Sequence, residues 1–538
     1  MKTLLRQYGY PAWLALIAGL ALLHGLHLGA DFPNHSPWPD WAKYTDEGWY
    51  ANAAIRIHLQ GHWIHPGGFN PAVAVPLWPA LLALLFRFTG VSLIAARGLA
   101  IALFCLNLLL VERLLRARLP RWATLLALML LVTSPFLFAF SRLALLEPLL
   151  LTLTLLALWL ALRLPSLPRP ILAAPLLGSL VAAMILAKTT AVFLLPAIAG
   201  AAFLSLRAQS LRTESLRSQS LRIRPCRWLP ILSVSGATAG CLLALWAALL
   251  VHFHLLQDLT YFFFINRYPR PYTLPGWLSS LGWALHGTLW IDPILLPLLG
   301  LLLLVWLSGL RHAWALALVR DPVFVASLLA VAGFVLFMAA QDHTQPRYYT
   351  VVAVFAVLAL VQLLSALLRQ GKWLRIVGSV ALLVVVVAIT RNSLQTLQYC
   401  LHPSYTWINA ARSLTAYVGT HPGSPRLLLA TSGDQITLMT GLPAVNDDFG
   451  TDLPERRIHA AYPGWFATWN DLDPAILAAL HHSYWLHQVA TYPVMDDPER
   501  NQLVLFRLIP HTPVPGTAQN YDVLSQILPA DRVSIPVE

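Results

Sequence analysis

The sequence predicts an α-helical polytopic membrane protein with about eleven transmembrane helices and a small C-terminal α/β domain outside the cytoplasm. Of the 538 residues, 57% are hydrophobic and only 11% are charged, a composition far from that of soluble domains. The apolar residues form long blocks, such as 229–251 and 376–390, which bracket the ~20 residues that a membrane-crossing helix needs. Several such blocks predict several crossings.

The formal net charge of +12 does not indicate nucleic-acid binding, because the charge is divided unevenly along the chain. Residues 402–538 contain 13 acidic and 7 basic residues, so this tail carries −6 and the preceding part carries +18. The Arg residues of the preceding part lie between apolar blocks, as the positive-inside rule expects of cytoplasmic loops. Membrane topology therefore explains the basic charge, and the lipid bilayer rather than nucleic acid is the expected partner.

One short apolar segment, 73–89, decides the topology. It contains Pro76 and Pro79, and we interpret it as an interfacial helix outside the cytoplasm. This choice leaves 17 basic residues in cytoplasmic loops, whereas a crossing at 73–89 would move all of them outside. We therefore expect a multi-pass inner-membrane protein with a cytoplasmic N-terminus on an uncleaved first helix and an extracytoplasmic C-terminal part. The predicted spans are 11–29, 93–111, 122–140, 148–163, 170–187, 189–206, 229–251, 289–308, 322–340, 349–367 and 376–390.

This topology divides the chain into a transmembrane domain, residues 1–391, and an extracytoplasmic α/β domain, residues 392–538. A long first outer loop, 31–92, belongs to the transmembrane domain. The second domain is predicted to contain strands at 426–432, 442–447 and 503–509 and a helix at 433–440. Its expected role is to cover or shape a site that faces outward.

Three further features give no sign of catalytic chemistry. The basic repeat SLRAQ SLRTE SLRSQ SLRIR, residues 205–224, is of low complexity and typical of a linker near lipid headgroups. The aromatic segment 261–277 is typical of an interfacial belt, with contact to a sugar or lipid as the alternative. No two cysteines are poised to form a disulfide or a metal site among Cys105, Cys226, Cys241 and Cys400.

Two adjacent carboxylates, Asp46 and Glu47, stand in TDEGWYANAAIRI, within the first outer loop and just ahead of a helix-like periodic run. At the N-terminus of a helix, such carboxylates can act as a general base or bind a metal ion, and the helix dipole favours their ionised form. Plain capping of the helix by Thr45 or Asp46 is the alternative.

A third carboxylate, Glu147 in SRLALLEPLLL, is predicted at the outer junction of two helices, with Arg142 five residues before it. Ionisable groups at membrane boundaries tend to be functional or paired, so Arg142 and Glu147 could also pair and hold a helical hairpin. The same topology places Lys188 of ILAKTTAVF near the outer face, together with Arg347 and Tyr348 of HTQPRYYTV.

One side of the membrane is therefore expected to gather three carboxylates and three cations. This mixture suits transfer from an anionic donor, because a carboxylate can take the proton of an acceptor hydroxyl while fixed cations stabilise a departing phosphate. A separate group, His58, His62 and His65, has i, i+4, i+7 spacing, but Gly61 and Pro66 weaken the helix that would align a metal site. We therefore interpret these as ordinary loop histidines.

These residues make the sequence resemble the GT-C membrane glycosyltransferases, in particular the branch with protein O-mannosyltransferases and the bacterial aminoarabinose transferases that act on lipid A. The resemblance covers roughly residues 1–391. It is carried by five segments in a fixed order, namely TDEGWYANAA after the first helix, FNPAVAVPLWPALLALL, SRLALLEP, ILAKTTA and PRYY.

The resemblance implies a polyprenyl-phosphate-linked sugar donor, an outward-facing cavity and inversion at the anomeric carbon. It further implies that Asp46, beside Glu47, is the catalytic base and that Glu147 is the second acidic position. The groups that would face the donor phosphate or the second carboxylate are Arg142, Lys188 and Arg347, the last followed by Tyr348.

Two positions depart from the pattern of the family. Glu147 stands where Asp is commoner, and Asn70 of GFNPAV stands where the aminoarabinose enzymes carry an acidic residue. The sugar, the acceptor (lipid, glycan or protein) and a divalent metal cofactor therefore stay open.

Two other function classes compete with a glycosyltransferase. A transporter or flippase for a lipid-linked glycan would commonly show internal repeats and broken helices at mid-membrane. A catalytically inactive scaffold would not need Asp46. The clustering of candidate ionisable residues at one face, without related halves or a nucleotide motif, favours the transferase.

Overall fold

The computed structural model describes residues 2–33, 38–215, 228–265, 273–341, 344–421, 425–446, 450–470, 474–495, 497 and 500–511. Several predicted features lie wholly or partly outside these residues: part of the basic repeat (216–224), Cys226, part of the aromatic segment (266–272), part of the first outer loop (34–37), the last residue of the strand predicted at 442–447, and parts of the C-terminal domain, including 512–538. Cys105, Cys241 and Cys400 are free thiols.

The part that precedes the C-terminal domain is helical. Its first helices are α1 (Lys2–Leu23), α2 (Asp46–Leu59), α3 (Leu77–Thr89), α4 (Leu93–Arg116), α5 (Arg121–Val132), α6 (Pro135–Ser141), α7 (Glu147–Arg163), α8 (Ala174–Ala187) and α9 (Leu195–Ser215). They are followed by α10 (Trp228–His252), α11 (Leu256–Thr260), α12 (Leu274–His286), α13 (Leu295–Ser308), α14 (Ala313–Val319), α15 (Pro322–Ala339), α16 (Tyr349–Leu367) and α17 (Lys372–Leu401). Short 3₁₀ turns at Trp41–Lys43 and Pro346–Tyr348 precede α2 and α16.

The described part of the chain contains 8 helices that are long and apolar enough to cross a membrane, or up to 10 spans if two bent helix pairs are each counted as one. These segments overlap every predicted span except the first. The first predicted span corresponds to α1, whose apolar stretch, Gly9–Leu23, is shorter than the others. The predicted class, a polytopic helical membrane protein, is therefore confirmed.

Two predicted spans are broken rather than straight. Residues 122–140 bend by 63° between α5 and α6, where the Oγ of Ser134 accepts a 3.2 Å hydrogen bond from the N–H of Leu137 and caps the new helix. Residues 289–308 include a bend of 117°, where Oδ1 of Asp292 accepts from the N–H of Leu295 at 2.8 Å. At each break, a side-chain oxygen thus accepts a hydrogen bond from an N–H group at the start of the second helix.

The helix α3 lies in the short apolar segment 73–89, which the sequence predicts to be interfacial. Its 13 residues extend for only ~20 Å, against a hydrocarbon core of ~30 Å. This length fits the interfacial position that the sequence predicts for it.

The centre of the membrane part is α16, and 94% of its apolar stretch is buried inside the protein. Only a helix that is apolar on every side can occupy such a position, and YTVVAVFAVLALVQLLSAL meets this requirement. Because α16 begins directly after Arg347 and Tyr348, this deeply buried helix fixes the position of these two residues.

The C-terminal domain packs helices against one mixed sheet. The helix α17 continues past residue 391, where the sequence predicts the domain boundary, to Leu401. The elements that follow are α18 (Thr406–Gly419), β1 (Leu428–Ala430), α19 (Gly433–Thr440), β2 (Ala444–Val445), α20 (Pro454–Ala461), β3 (Trp465–Trp469), α21 (Pro474–Ser483), β4 (Tyr484–Pro493) and β5 (Gln502–Pro510). The strand order is β2-β1-β3-β5-β4, with β1 parallel to β2 and β3 and β5 antiparallel to β3 and β4. The small α/β domain is therefore confirmed, with each predicted strand and helix in place.

Candidate active site

Asp46 is the first residue of α2, and its side chain is buried against Arg347. Nη2 of Arg347 lies 2.5 Å from Oδ2 of Asp46, and Oγ1 of Thr45 donates a 3.1 Å hydrogen bond to Oδ1 of Asp46. Thr45 occupies the N-cap position, but its side chain accepts no hydrogen bond from the helix. The alternative of plain capping by Thr45 is therefore wrong.

Asp40, which the sequence reasoning missed, holds Arg347 from another side. The guanidinium of Arg347 forms an ion pair with Asp40, and the backbone N–H of Arg347 donates to Oδ2 of Asp40 at 2.9 Å. Asp40 also accepts a 2.8 Å hydrogen bond from the N–H of Ala42 and so caps the 3₁₀ turn before α2. Arg347 therefore lies between two buried carboxylates. The signal for Asp40 in the sequence was no more than that of an ordinary capping aspartate.

Glu147 and Lys188 form a second buried ion pair. Glu147 is the first residue of α7, and Lys188 directly follows the last residue of α8. The alternative in which Glu147 pairs with Arg142 is therefore wrong: the partner of Glu147 is the lysine of the next helix junction.

Tyr348 connects the two ion pairs. Nζ of Lys188 lies 4.5 Å from the centre of the Tyr348 ring, and Cζ of Arg347 lies 5.1 Å from the same centre. Both cations thus contact one aromatic ring, in the arrangement of cation–π interactions. The predicted residues Asp46, Glu147, Lys188, Arg347 and Tyr348 come together as one cluster at the ends of four helices.

Burial raises the pKa of the Asp46 carboxyl above its usual range. The negative charges of Asp40 and Glu147 raise this pKa further, while Arg347 and the hydrogen bond from Thr45 lower it. Tyr50, one helical turn along α2, also has a raised pKa, because of burial first and of the charge on Asp46 next. A buried carboxylate with a raised pKa is a stronger base than an exposed aspartate.

Glu47 belongs to a different interaction, with Arg97 of α4. Nε and Nη2 of Arg97 donate to the two carboxylate oxygens of Glu47 at 2.8 and 2.6 Å, and the N–H of Ala144 donates to Oε1 at 2.8 Å. Arg97 also donates to the carbonyl oxygens of Leu28 and Ala30 at 2.7 and 2.6 Å. Through Arg97 and the N–H of Ala144, Glu47 therefore connects the start of α2 to α4, to the loop after α1 and to the loop before α7.

Arg142 lies apart from the cluster. Its guanidinium donates to the carbonyl oxygens of Leu26 and His27, just after α1, and lies 4.8 Å from the centre of the Phe138 ring. These contacts give Arg142 a role in holding the loop that follows the first helix. No contact brings it to Glu147 or Lys188 in the described part of the chain.

The histidine-rich loop shows no arrangement of metal ligands. The rings of His62 and His65 stack at 6.3 Å, while His58 is exposed near the end of α2. Among the described residues, no group of three or more His, Cys, Asp or Glu side chains could hold a metal ion. Nearby Asn70 accepts from Arg56 at 3.0 Å and donates to Asp258 at 2.7 Å. Asn70 thus holds this loop through an amide, where the family resemblance would have an acidic residue.

Part of the chain matches a known protein family. The family model described as dolichyl-phosphate-mannose-protein mannosyltransferase matches residues 68–218. This stretch contains Glu147 and Lys188, but it contains neither Asp46 nor Arg347. No curated protein sequence is significantly similar to the chain.

Solved structures are similar over nearly the whole chain. ArnT from Cupriavidus metallidurans in the apo state shares 13% sequence identity at a TM-score of 0.57, and the alignment covers 92% of this chain and 98% of ArnT. The structure of the same protein bound to undecaprenyl phosphate gives a TM-score of 0.55 with the same identity and coverage. The oligosaccharyltransferase AglB from Archaeoglobus fulgidus, in complex with an inhibitory peptide and a dolichol phosphate, has 12% identity and a TM-score of 0.50 over 95% of this chain and 75% of AglB.

The family match and the fold agree with each other. The chain has the same fold as ArnT and AglB, and residues 68–218 match the mannosyltransferase family model, in agreement with the resemblance that the sequence shows.

Proposed function

We propose that this protein moves a sugar from a polyprenyl-phosphate-linked donor to a lipid, glycan or protein acceptor at the outer face of the cytoplasmic membrane. The observation that carries the proposal is the pair of buried ion pairs, Asp46 with Arg347 and Glu147 with Lys188, that contact the same Tyr348 ring. Together the two ion pairs supply a carboxylate and two fixed cations, which are the groups that transfer from a phosphate donor requires.

Asp46 is the proposed base. Its carboxylate takes the proton of the acceptor hydroxyl as the acceptor oxygen bonds to the anomeric carbon. Its raised pKa, caused first by burial, brings it nearer to the pH at which a general base works best. Asp40 keeps Arg347 in place through an ion pair with Nη1 of the guanidinium and a hydrogen bond from the backbone N–H.

Lys188 and Arg347 are the proposed counterions of the leaving group. As the new bond forms, the bond between the anomeric carbon and the phosphate oxygen breaks, and its electron pair leaves with the polyprenyl phosphate. A single displacement of this kind inverts the anomeric carbon. Two buried cations in a site of low dielectric stabilise the charge on the phosphate more strongly than they would in water.

The comparisons support the donor class. The ArnT structure contains undecaprenyl phosphate, the AglB structure contains a dolichol phosphate, and the matching family is described by a dolichyl-phosphate donor. Polyprenyl phosphates are thus found with proteins of this fold.

Mass spectrometry of envelope glycolipids and glycoproteins in a deletion strain tests the proposal. A glycan lost on deletion should return with the wild-type chain and with the exposed control Glu455→Gln, but not with Asp46→Asn, whose transfer rate should fall at least ~100-fold. The donor lipid should accumulate in the deletion strain and in the strain with Asp46→Asn. Full restoration by well-inserted Asp46→Asn protein would overturn the mechanism, and movement of the donor lipid across the membrane without its consumption would indicate a flippase.

The orientation is part of the proposal and has a separate test. Reporters fused after residue 90 and after residue 400 should both report outside the cytoplasm, as the 17 basic residues of the predicted cytoplasmic loops require. A cytoplasmic signal at either position would place the cluster on the wrong side for this chemistry.

A further inference from the structure

The helix that carries Asp46 is capped by a residue from the C-terminal domain. The first N–H groups of a helix have no partner within it, and Thr45 does not supply one to α2. Instead, Oε1 of Gln435, in α19, accepts a 2.7 Å hydrogen bond from the N–H of Gly48. Nε2 of Gln435 lies 3.4 Å from Oε2 of Glu47. The side chain of Gln435 is fully buried, so this contact is shielded from water.

Gly48 allows the backbones of the two helices to touch. A Cβ atom at position 48 would lie 2.2 Å from the backbone N of Gln435 and 2.5 Å from the backbone C of Asp434. Backbone atoms cannot rotate away as the end of a flexible side chain can. Any side chain at position 48 would therefore separate α19 from α2.

The contact continues along α2 for two further turns. Gly48, Asn52 and Arg56 are spaced by four residues and so share one face of the helix. Asp434 accepts a hydrogen bond from Asn52 and is attracted by the charge of Arg56. Leu438, one turn further along α19, packs in the cluster of buried residues that contains Ala51 and Ala54. The first two turns of α19 thus lie along the face of α2 that starts beside Asp46.

We propose that Gln435 is a positioning residue of the active site, through which the C-terminal domain fixes the first turn of α2 and holds Asp46 against Arg347. This inference rests on the proposed function, because it takes Asp46 to be the base. It makes the C-terminal domain a part of the catalytic unit rather than a separate cover. Small displacements of a reacting group reduce rates strongly, so loosening this turn should reduce transfer.

Hydrogen exchange tests the structural half of the proposal without any activity assay. In the full-length protein in detergent, loss of the Gln435 acceptor in Gln435→Ala should speed exchange of the Gly48 amide by about 5-fold, the factor expected for one net hydrogen bond. Gln488→Ala, at an exposed position of β4, is the matched control and should leave this amide unchanged. Unchanged exchange in Gln435→Ala would overturn the capping.

Kinetics test the functional half. With donor lipid extracted from the deletion strain, Gln435→Ala should lower kcat by about 10-fold or more while KM for the donor stays within about 2-fold, because the base is displaced and the phosphate site is not. Gln435→Glu retains an acceptor for the Gly48 N–H but adds a negative charge beside Glu47 and near Asp46. It should keep much of kcat and move the acid limb of the pH–rate profile to higher pH.

The outcomes separate the two proposals. Faster exchange at Gly48 with wild-type kcat in Gln435→Ala overturns the positioning role. Wild-type transfer by Asp46→Asn overturns the proposed function, whereas the exchange result stands independently of it. A drop in kcat for Gln435→Ala together with an unmoved acid limb for Gln435→Glu also counts against positioning and indicates a general loss of stability.

Discussion

Asp46 and Glu47 are neighbours in the chain, yet they belong to two separate ion pairs: Asp46 contacts Arg347, while Glu47 forms a two-pronged pair with Arg97. Successive residues of an α-helix point about 100° apart, so adjacent carboxylates at the start of α2 face different neighbours. Asp46 faces the candidate active site. Glu47 faces the junction of α4, the loop after α1 and the backbone at Ala144.

This division predicts opposite phenotypes for two adjacent substitutions. Glu47→Gln leaves the buried Arg97 without a counterion, and breaking a buried pair in this way costs about 3–5 kcal/mol. Asp46→Asn leaves Arg347 paired with Asp40, so the loss of stability should be smaller. Thermal unfolding in detergent should show a marked fall in Tm for Glu47→Gln only, and transfer should be lost in Asp46→Asn at a near wild-type Tm. Equal losses of Tm would contradict the division of roles.

The raised pKa of Asp46 predicts the acid limb of the pH–rate profile. Asp46 must be ionised to accept a proton, so the rate of transfer should fall as the pH drops through its pKa, at a pH above the ~3.9 of an ordinary aspartate. Because the charge of Asp40 raises this pKa, Asp40→Asn should move the acid limb to lower pH. The measurement is kcat/KM between pH 4 and 8 for both proteins. An acid limb that Asp40→Asn leaves in place, or moves upward, would contradict Asp46 as the titrating base.

The sequence predicted the members of the cluster better than it predicted their pairing. Asp46, Glu147, Lys188 and Arg347 could be identified because each ionisable residue interrupts an apolar pattern at a helix end. Whether Glu147 would meet Arg142 or Lys188 depends on the packing of α7 against α8, which helical periodicity does not encode.

The residues that were missed have the same explanation. Asp40 and Arg97 are ordinary polar residues in sequence, and their importance arises only when distant segments meet. In the C-terminal domain, the strands β1, β2 and β5 and the short helix at 433–440 were predicted, since turn residues and alternating apolar runs are local signals. The strands β3 and β4 and the helices α18, α20 and α21 were not predicted. Gln435 as a cap for α2 was not predictable, because its partner Gly48 is separated from it by 387 positions.

Replacement of the Glu147–Lys188 pair distinguishes binding of the donor phosphate from structural support. Lys188→Met alone leaves Glu147 buried and uncompensated, which should cost about 3–5 kcal/mol. The double variant Glu147→Leu, Lys188→Met replaces the pair by apolar groups and should recover most of that stability. If Lys188 holds the donor phosphate, the recovered protein should still bind undecaprenyl phosphate at least ~10-fold more weakly than wild type. Wild-type affinity in the stable double variant would assign the pair a structural role only.

Asp434 predicts a pH dependence for the contact between the C-terminal domain and α2. Burial raises the pKa of Asp434 from 3.8 to about 6, against the opposing effects of Arg56 and of hydrogen bonds from Asn446 and Asn52. The folded protein therefore binds this proton more tightly than the unfolded chain. The resulting stability is fully present below pH 3.8, declines as the pH rises through 6, and amounts to about 3 kcal/mol at most.

Asp434 and His65 both line a cavity between α2 and the C-terminal domain. The effect of His65 on stability has the opposite dependence on pH. Burial lowers its pKa, so its contribution to stability is lost as the pH falls. Because the two residues act in opposite directions, the pH profile of the wild type alone does not isolate Asp434. The comparison of the wild type with Asp434→Asn does. Asp434→Asn should abolish the part of the pH dependence between pH 4 and 7 that belongs to Asp434, and the exposed control Glu455→Gln should not. The measurement is the protection of the α19 and α2 amides from hydrogen exchange across this range. If wild type and Asp434→Asn gave parallel profiles, Asp434 would not be the group that titrates at this contact.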